Sequence, residues 1–342
     1  MATHLAVLLT ETGSPLTLTP LPTPTPSATE VLIRVSAVAL NPVDHKQRDA
    51  GFPPLPLPSV LGCDISGTIA SLGSSVPSVL VPGARVAALA TSFWNPGSLP
   101  HGSFQEYVLV PWQGVVPLPE NVGLEEGAMM PLATLTALTG WTAVGIPLEG
   151  YRAGEKEAVL VWGGASSVGT VAVQAAKGMG FRVYATASER NHAYVRGLGA
   201  DEVFDYHEEG VVDRIVQRVK EDGAVLRTGY CAAGEGLRGT VDVLALTRGA
   251  EQARVASASL VPKDFEGVEG VVVTFVMPPL DKGEREEHFR KVFHGWLKVG
   301  LEKGTVVPSP KVQIEEGGLG GLDRALDVLR EGVSGVKIVV RL

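Results

Sequence analysis

The spacing of apolar positions changes character a little over a third of the way along the chain. Up to about residue 125, apolar residues fall in short runs separated by glycine and proline. Residues 31–40 (VLIRVSAVAL) form the clearest strand, and residues 5–9 predict an earlier one. Between them LTPLPTPTPSATE, residues 18–30, predicts an extended surface loop, because proline cannot donate to a sheet ladder. The segments 60–69 (VLGCDISGTI), 82–87 (PGARVA) and 102–108 (GSFQEYV) continue the pattern, which predicts a small, irregular β domain. Residues 125–143 then lose the strand signals and read as helical, broken or kinked at Pro131.

From there strand and helix patterns alternate: strand 158–162, helix 168–179, strand 181–185, helix 191–198, strand 202–204 and helix 211–220. Alternation of this kind predicts an α/β unit with a parallel sheet covered on both faces. Further strands are expected at 254–258 and 271–276. A polar, helix-like stretch at 282–299, a helix at 319–330 and a last strand at 336–340 return the chain to the first domain.

Composition narrows the class. With 342 residues, 45% hydrophobic and 19% charged, the chain has enough apolar surface for two cores and too little charge for extensive disorder. A net charge of −8 without a lysine- or arginine-rich block argues against nucleic acid. No apolar run approaches the roughly 20 residues of a membrane span. The N-terminus lacks the basic start and long apolar core of a signal peptide, and two cysteines cannot build a disulfide framework. The expected compartment is the cytoplasm.

The candidate chemistry centres on residues 158–180, AVLVWGGASSVGTVAVQAAKGMG. An apolar strand, a glycine turn and a helix of small residues form the first unit of a dinucleotide-binding domain, with the pyrophosphate received at the helix N-terminus. Gly164, Ser166, Ser167, Val168 and Gly169 are the candidate cofactor-binding residues; the central glycine of the motif is replaced by Ser166. Ser166 and Ser167 each offer a hydroxyl as well as a backbone N–H. A tight turn without a ligand is the alternative. The second strand ends at Ser188, followed by Glu189, Arg190 and Asn191. A hydroxyl beside a cation suits a 2′-phosphate and favours NADPH, whereas Glu189 would serve the ribose of NADH and Ser188 also suits a helix cap.

Eight blocks, NPVDHK (41–46), LGCDISGTI (61–69), PGARV (82–86), GSFQEYV (102–108), PLATLTALTGW (131–141), VWGGASSVG (161–169), LGADEVFDY (198–206) and SGVKIVV (334–340), resemble the medium-chain dehydrogenase/reductase superfamily. Together with residues 317–342 they are similar to its zinc-free quinone-oxidoreductase branch and to the trans-acting enoyl reductases of fungal polyketide pathways. The resemblance implies a GroES-like, partly open β-barrel from residues 1–125 and 276–342, a Rossmann doubly wound parallel sheet from 126–275, and an active site in the cleft between them. It also implies that a tyrosine matching Tyr206 packs near the adenosine. The zinc ligands of other members are replaced: Asn41 and Cys63 stand at two of the three positions, and no cysteine lies near Pro131. No metal is expected.

Without a metal, hydride addition to a conjugated carbonyl is the easier reaction, since a few hydrogen-bond donors stabilise the enolate oxygen. Asn41 is the first candidate donor, its alternative being an Asn-Pro turn. Lys46 would meet the enolate oxygen or an anionic carrier, or is simply solvated. Thr136 matches a threonine near the nicotinamide ribose, or bonds back to its own helix. Lys337 lies in a block implied to approach the cofactor, or is a solvated strand residue. Asp44 is expected to be structural, pairing with a base such as Arg85; Tyr107 and His45 are possible acids that more often pack. The segment from Arg227 through Tyr230 and Cys231 to Gly234 departs from the family, so a cofactor contact near Cys231 is doubtful. The resulting expectation is an NADPH-dependent reductase of enoyl thioesters or enones. Its substrate is a small molecule or an acyl group on a carrier such as a polyketide synthase, and the enzyme is a monomer or homodimer. A quinone reductase and a non-catalytic NADPH-binding scaffold remain the competing readings.

Overall fold

Residues 2–342 are described by the computed structural model, and the chain divides into two compact units. One takes the chain to Leu132 together with Phe289–Gly304 and Pro308–Leu342; the other is Ala133–His288 with Thr305–Val307. These boundaries lie later than 125 and 275 for identifiable reasons. The helix Leu124–Ala128 packs on the strands Glu30–Ala39, Asp64–Leu72 and Arg85–Leu89 of the first unit. His288 is held in the second unit by Thr139, whose Oγ1 lies 2.8 Å from its Nε2. Thr305–Val307 joins the second unit because Gln174 bonds both the N–H (2.9 Å) and the carbonyl (3.2 Å) of Val307.

The first unit is built on a seven-stranded sheet. Its order is Lys311–Glu315, Val336–Arg341, Glu30–Ala39, Asp64–Leu72, Arg85–Leu89 and Val115–Pro117, with Tyr107–Pro111 also pairing on Glu30–Ala39. Glu30–Ala39 is the organising strand. One of its edges is shared, Tyr107–Pro111 taking residues 30–34 and Val336–Arg341 taking residues 37–39. This brings Lys337, Asn41 and Asp64 to one end of the sheet. Val31, Ile33, Val35, Val38, Ile65, Val86, Val108 and Ile338 fill the core beneath.

The proline–threonine segment is not all loop. Thr17–Pro22 forms a strand antiparallel to Thr3–Leu8, from Thr3 opposite Pro22 to Leu8 opposite Thr17. Its prolines are tolerated because it is the edge of a two-stranded ribbon, where one row of N–H groups needs no partner.

The second unit holds a six-stranded, wholly parallel sheet in the order Glu202–Phe204, Arg182–Thr186, Glu157–Trp162, Val225–Cys231, Ala253–Ser257 and Val271–Phe275. In chain order this is 3-2-1-4-5-6, the doubly wound arrangement that reverses direction beside its first strand. The fourth strand is hidden in the sequence because Arg227 bulges out of register with Glu157–Trp162 and is exposed, breaking the apolar run. No helix among the described residues is long and apolar enough to cross a membrane.

The loop before Tyr107–Pro111 is tied to the first sheet by His101. Its Nε2 lies 2.7 Å from Glu30 Oε1 and its Nδ1 2.7 Å from Ser98 Oγ. The hydrogen bond from His101 holds the Glu30 carboxyl down at about 2, against an ordinary value of 4.5. A depressed carboxylate contributes stability that is present above its ordinary value and lost as pH falls toward the folded value. Glu30→Gln should therefore flatten the loss of stability between pH 4.5 and about 2, as measured by urea unfolding across that range. Parallel profiles for variant and parent would refute this.

Candidate functional site

Each unit presents one candidate region. In the second, the strand Glu157–Trp162 runs into a turn whose first glycine, Gly163, has φ +85°. Gly163 N–H donates to Thr186 Oγ1 (3.0 Å) and Gly164 N–H to the Thr186 carbonyl (2.8 Å), anchoring the turn to the second strand. The helix Ser167–Gly178 starts at once. Ser166 is its N-cap, its Oγ accepting from Gly169 N–H (3.0 Å) and donating to the Gly163 carbonyl (2.8 Å). A Cβ on Gly169 would lie 2.1 Å from the Gly163 oxygen, so only glycine lets the helix start this close to the turn.

The cap commits the Ser166 hydroxyl, which was expected to be free for phosphates. The Ser167 hydroxyl and the N–H groups of Ser167 and Val168 have no partner among the described residues. Two free N–H groups at the positive end of a twelve-residue helix are the donors an anion would need.

The neighbouring strand ends complete this region. Ala187 N–H donates to the Phe204 carbonyl (3.0 Å), setting the loop after Arg182–Thr186 against the loop after Glu202–Phe204. Ser188 is half-buried and its Oγ accepts from Asn191 Nδ2 (3.0 Å), while Arg190 is exposed. Tyr206 is 41% exposed, with the His207 ring 4.1 Å away. Ser188, Arg190 and Tyr206 thus share the carboxyl end of adjacent strands. Asp205, which sequence reading overlooked, sits among them. Its Oδ2 accepts from Glu189 N–H (3.3 Å), and bonds from His207, the backbone N–H first, hold its carboxyl below the usual range.

Thr136 is half-buried on the helix Pro131–Ala143, and its carbonyl accepts from Tyr230 Oη (2.7 Å). Next to Tyr230, Cys231 is buried, its Sγ donating to the Ala233 carbonyl (2.9 Å). Burial pushes that thiol up to about 11, which removes it as a nucleophile near neutral pH.

The candidate region of the first unit is a buried polar cluster. Asn41 lies two residues beyond the organising strand and N-caps the helix Pro42–Ala50, with Pro42 at the first helical position. Its backbone joins a reciprocal cap with Asp44: Asn41 N–H donates to Asp44 Oδ2 (2.7 Å) and Asp44 N–H to the Asn41 carbonyl (2.9 Å). Its side chain turns away from the helix. Asn41 Nδ2 donates to Asp64 Oδ2 (2.9 Å), and Lys337 Nζ donates to Asn41 Oδ1. Lys337 Nζ also lies 3.3 Å from Asp64 Oδ2, and Asp64 Oδ1 accepts from Leu132 N–H (2.7 Å). Lys337 is only 4% exposed, and Asp44, Asp64 and Cys63 are wholly buried.

Several expectations change here. Lys337 is buried rather than solvated, and its ammonium meets Asn41 and Asp64. Asp44 does not pair with Arg85, which donates to the Val122 carbonyl (2.6 Å) instead. Lys46 is exposed on the same helix as Asp44, and His45 faces Asp49 at 3.8 Å. Tyr107 packs edge-on to His4. Asp64 was the missed member of the site. A carboxylate between apolar neighbours in LGCDISG, and a lysine inside VKIVV, were the available signals of buried charge.

This donor set does not fit zinc. Burial pushes the Cys63 thiol well up, the Asn41 amide is occupied at both ends, and an ammonium stands where a second cation would have to enter. Among the described residues there is no group of three or more His, Cys, Asp or Glu able to hold a metal ion.

Residues 27–120 match the alcohol dehydrogenase GroES-like domain and residues 167–250 the zinc-binding dehydrogenase family. The chain is 48% identical over 341 residues to the trans-enoyl reductase tndF of Aspergillus flavipes, covering 99% of each. Among solved structures it is similar to an alcohol dehydrogenase superfamily protein from Novosphingobium aromaticivorans (TM-score 0.81, 23% identity, 99% of each chain covered). It is also similar to mycobacterial Rv1454c, solved in complex with NADPH (TM-score 0.75, 25% identity, 100% of each chain covered).

Burial pushes the Asp44 carboxyl from 3.8 up to about 7, with the Asn41 N–H and Lys337 opposing it. The folded protein therefore keeps a proton that the unfolded chain releases near pH 4, and stability falls as pH rises from about 4 to 7. Asp44→Asn should remove part of that fall, seen as a flatter profile in urea unfolding at pH 4, 5.5 and 7. An unchanged slope would contradict it.

Proposed function

The chain belongs to the trans-enoyl reductase branch of the medium-chain dehydrogenase/reductase superfamily, and from that premise we propose that it reduces the C=C bond of an α,β-unsaturated acyl thioester, using NADPH and no metal. The observation that carries the reading is the Asn41 amide, diverted from capping its own helix and held with one Nδ2 hydrogen unspent.

When bound, NADPH would supply the hydride that adds to the β carbon, and a proton from water would complete the reduction at the α carbon. The chain's own residues do the rest. The free N–H groups of Ser167 and Val168 would hold the pyrophosphate, with the Ser167 hydroxyl beside them. Ser188 and Arg190 would bind the 2′-phosphate, and Tyr206 would cover the adenine. Asn41 Nδ2–H would donate to the thioester oxygen as it takes up enolate charge, which a neutral donor in a buried setting stabilises well. Thr136 would steady the nicotinamide ribose. Lys46, exposed one helical turn from the cap, would meet the anionic arm of a carrier such as that of a polyketide synthase. Two buried, unpaired cysteines support a cytoplasmic setting.

Two measurements test this. In the first, enoyl thioesters and small quinones are offered with NADPH. Enoyl thioesters should give the higher kcat/KM, and Asn41→Ala should lower kcat about 100-fold; preference for quinones by orders of magnitude would overturn the reading. In the second, NADPH and NADH are compared. Arg190→Ala should raise KM for NADPH about tenfold and leave that for NADH nearly unchanged, whereas equal effects on both would remove Arg190 from the 2′-phosphate site.

A further inference from the structure

The reading of Asn41 as the oxyanion donor leaves open why its side chain sits against a buried charge pair. Resting on that reading, we propose that Lys337 and Asp64 are positioning residues that act through the Asn41 amide, the two together holding it in one orientation and Lys337 strengthening the N–H left for the acceptor.

The chemistry of the partners permits only one arrangement. Lys337 brings donors alone, and Asp64, whose oxygens face the three donors Asn41 Nδ2, Lys337 Nζ and Leu132 N–H, brings acceptors alone. Asn41 Oδ1 must therefore face Lys337 and Nδ2 must face Asp64, as found. A flipped amide would set its NH₂ against the ammonium and its oxygen against the carboxylate, two repulsive contacts in a buried site. Asp64 is itself fixed, since its other oxygen accepts from Leu132 N–H (2.7 Å). The Asn41 backbone is fixed by its reciprocal cap with Asp44.

Of the two hydrogens on Nδ2, one is bonded to Asp64 and one remains. The ammonium at Oδ1 draws electron density from nitrogen through the conjugated O–C–N system, so the remaining N–H becomes a stronger donor than that of an isolated asparagine. A neutral amide thereby delivers part of a lysine's charge to the reacting oxygen. The lysine stays out of reach of solvent at 4% exposure.

A double-mutant cycle separates this role from simple stabilisation. Lys337→Met should lower kcat for enoyl-thioester reduction about 10- to 100-fold with little change in KM. In the Asn41→Ala background the same substitution should cost nothing further in kcat. If Lys337→Met does not fold, Asp64→Asn serves in the same cycle, with a smaller loss that also vanishes beside Asn41→Ala. The second readout needs neither cofactor nor turnover. The ¹⁵N-labelled side-chain amide of Asn41, assigned by its disappearance in Asn41→Asp, should show one downfield, slowly exchanging proton that moves toward the free-amide position in Lys337→Met or Asp64→Asn. Full additivity in kcat, or an amide signal that does not move, overturns the proposal. Should the parent protein reduce no enoyl thioester, the functional reading falls, and the amide signal alone then upholds or refutes the arrangement.

Discussion

An ammonium at 4% exposure is tolerable only when a charge and well-aimed acceptors answer it, because removing either ion of a buried pair leaves the other stranded at a cost of several kcal/mol. Lys337 meets that condition through Asp64 and Asn41, and much of the first unit is arranged around it. Glu30–Ala39 shares one edge between two strands, and the later of these, Val336–Arg341, carries the lysine to the end of the sheet where Asn41 begins its helix. Asp64 opens the strand paired on the opposite edge. Asp44 completes the set, and burial pushes its carboxyl up to about 7.

Two helix N-termini in this protein use their cap residues in opposite ways. At Ser167–Gly178 the cap side chain closes inward on Gly169 and Gly163, and the N–H groups of Ser167 and Val168 have no partner among the described residues. At Pro42–Ala50 the reverse holds. Proline has no N–H at the first position, Asp44 closes back on the cap backbone, and the asparagine side chain is released for other work. The same local rule of helix capping, met by different residues, leaves backbone N–H groups unspent at one helix and a side-chain amide turned away from the other.

The class of the protein is legible in the order of its residues. The strand–turn–helix at 158–180, the alternation that follows and the Gly–Pro-punctuated strands before it are local signals, and each maps onto an observed element. Local signals failed where neighbours intervene. Arg227 hides a central strand by bulging out of it, and the prolines of Thr17–Pro22 conceal an edge strand that a partner makes acceptable. The site divided along the same line. Its glycine turn was legible because pyrophosphate binding needs contiguous residues, whereas Asn41, Asp64 and Lys337 lie 23 and 273 positions apart and are joined by strand pairing alone. Whether a lysine in an apolar strand is solvated or buried beside a carboxylate depends on which strand lies across from it, and only the tertiary structure decided that.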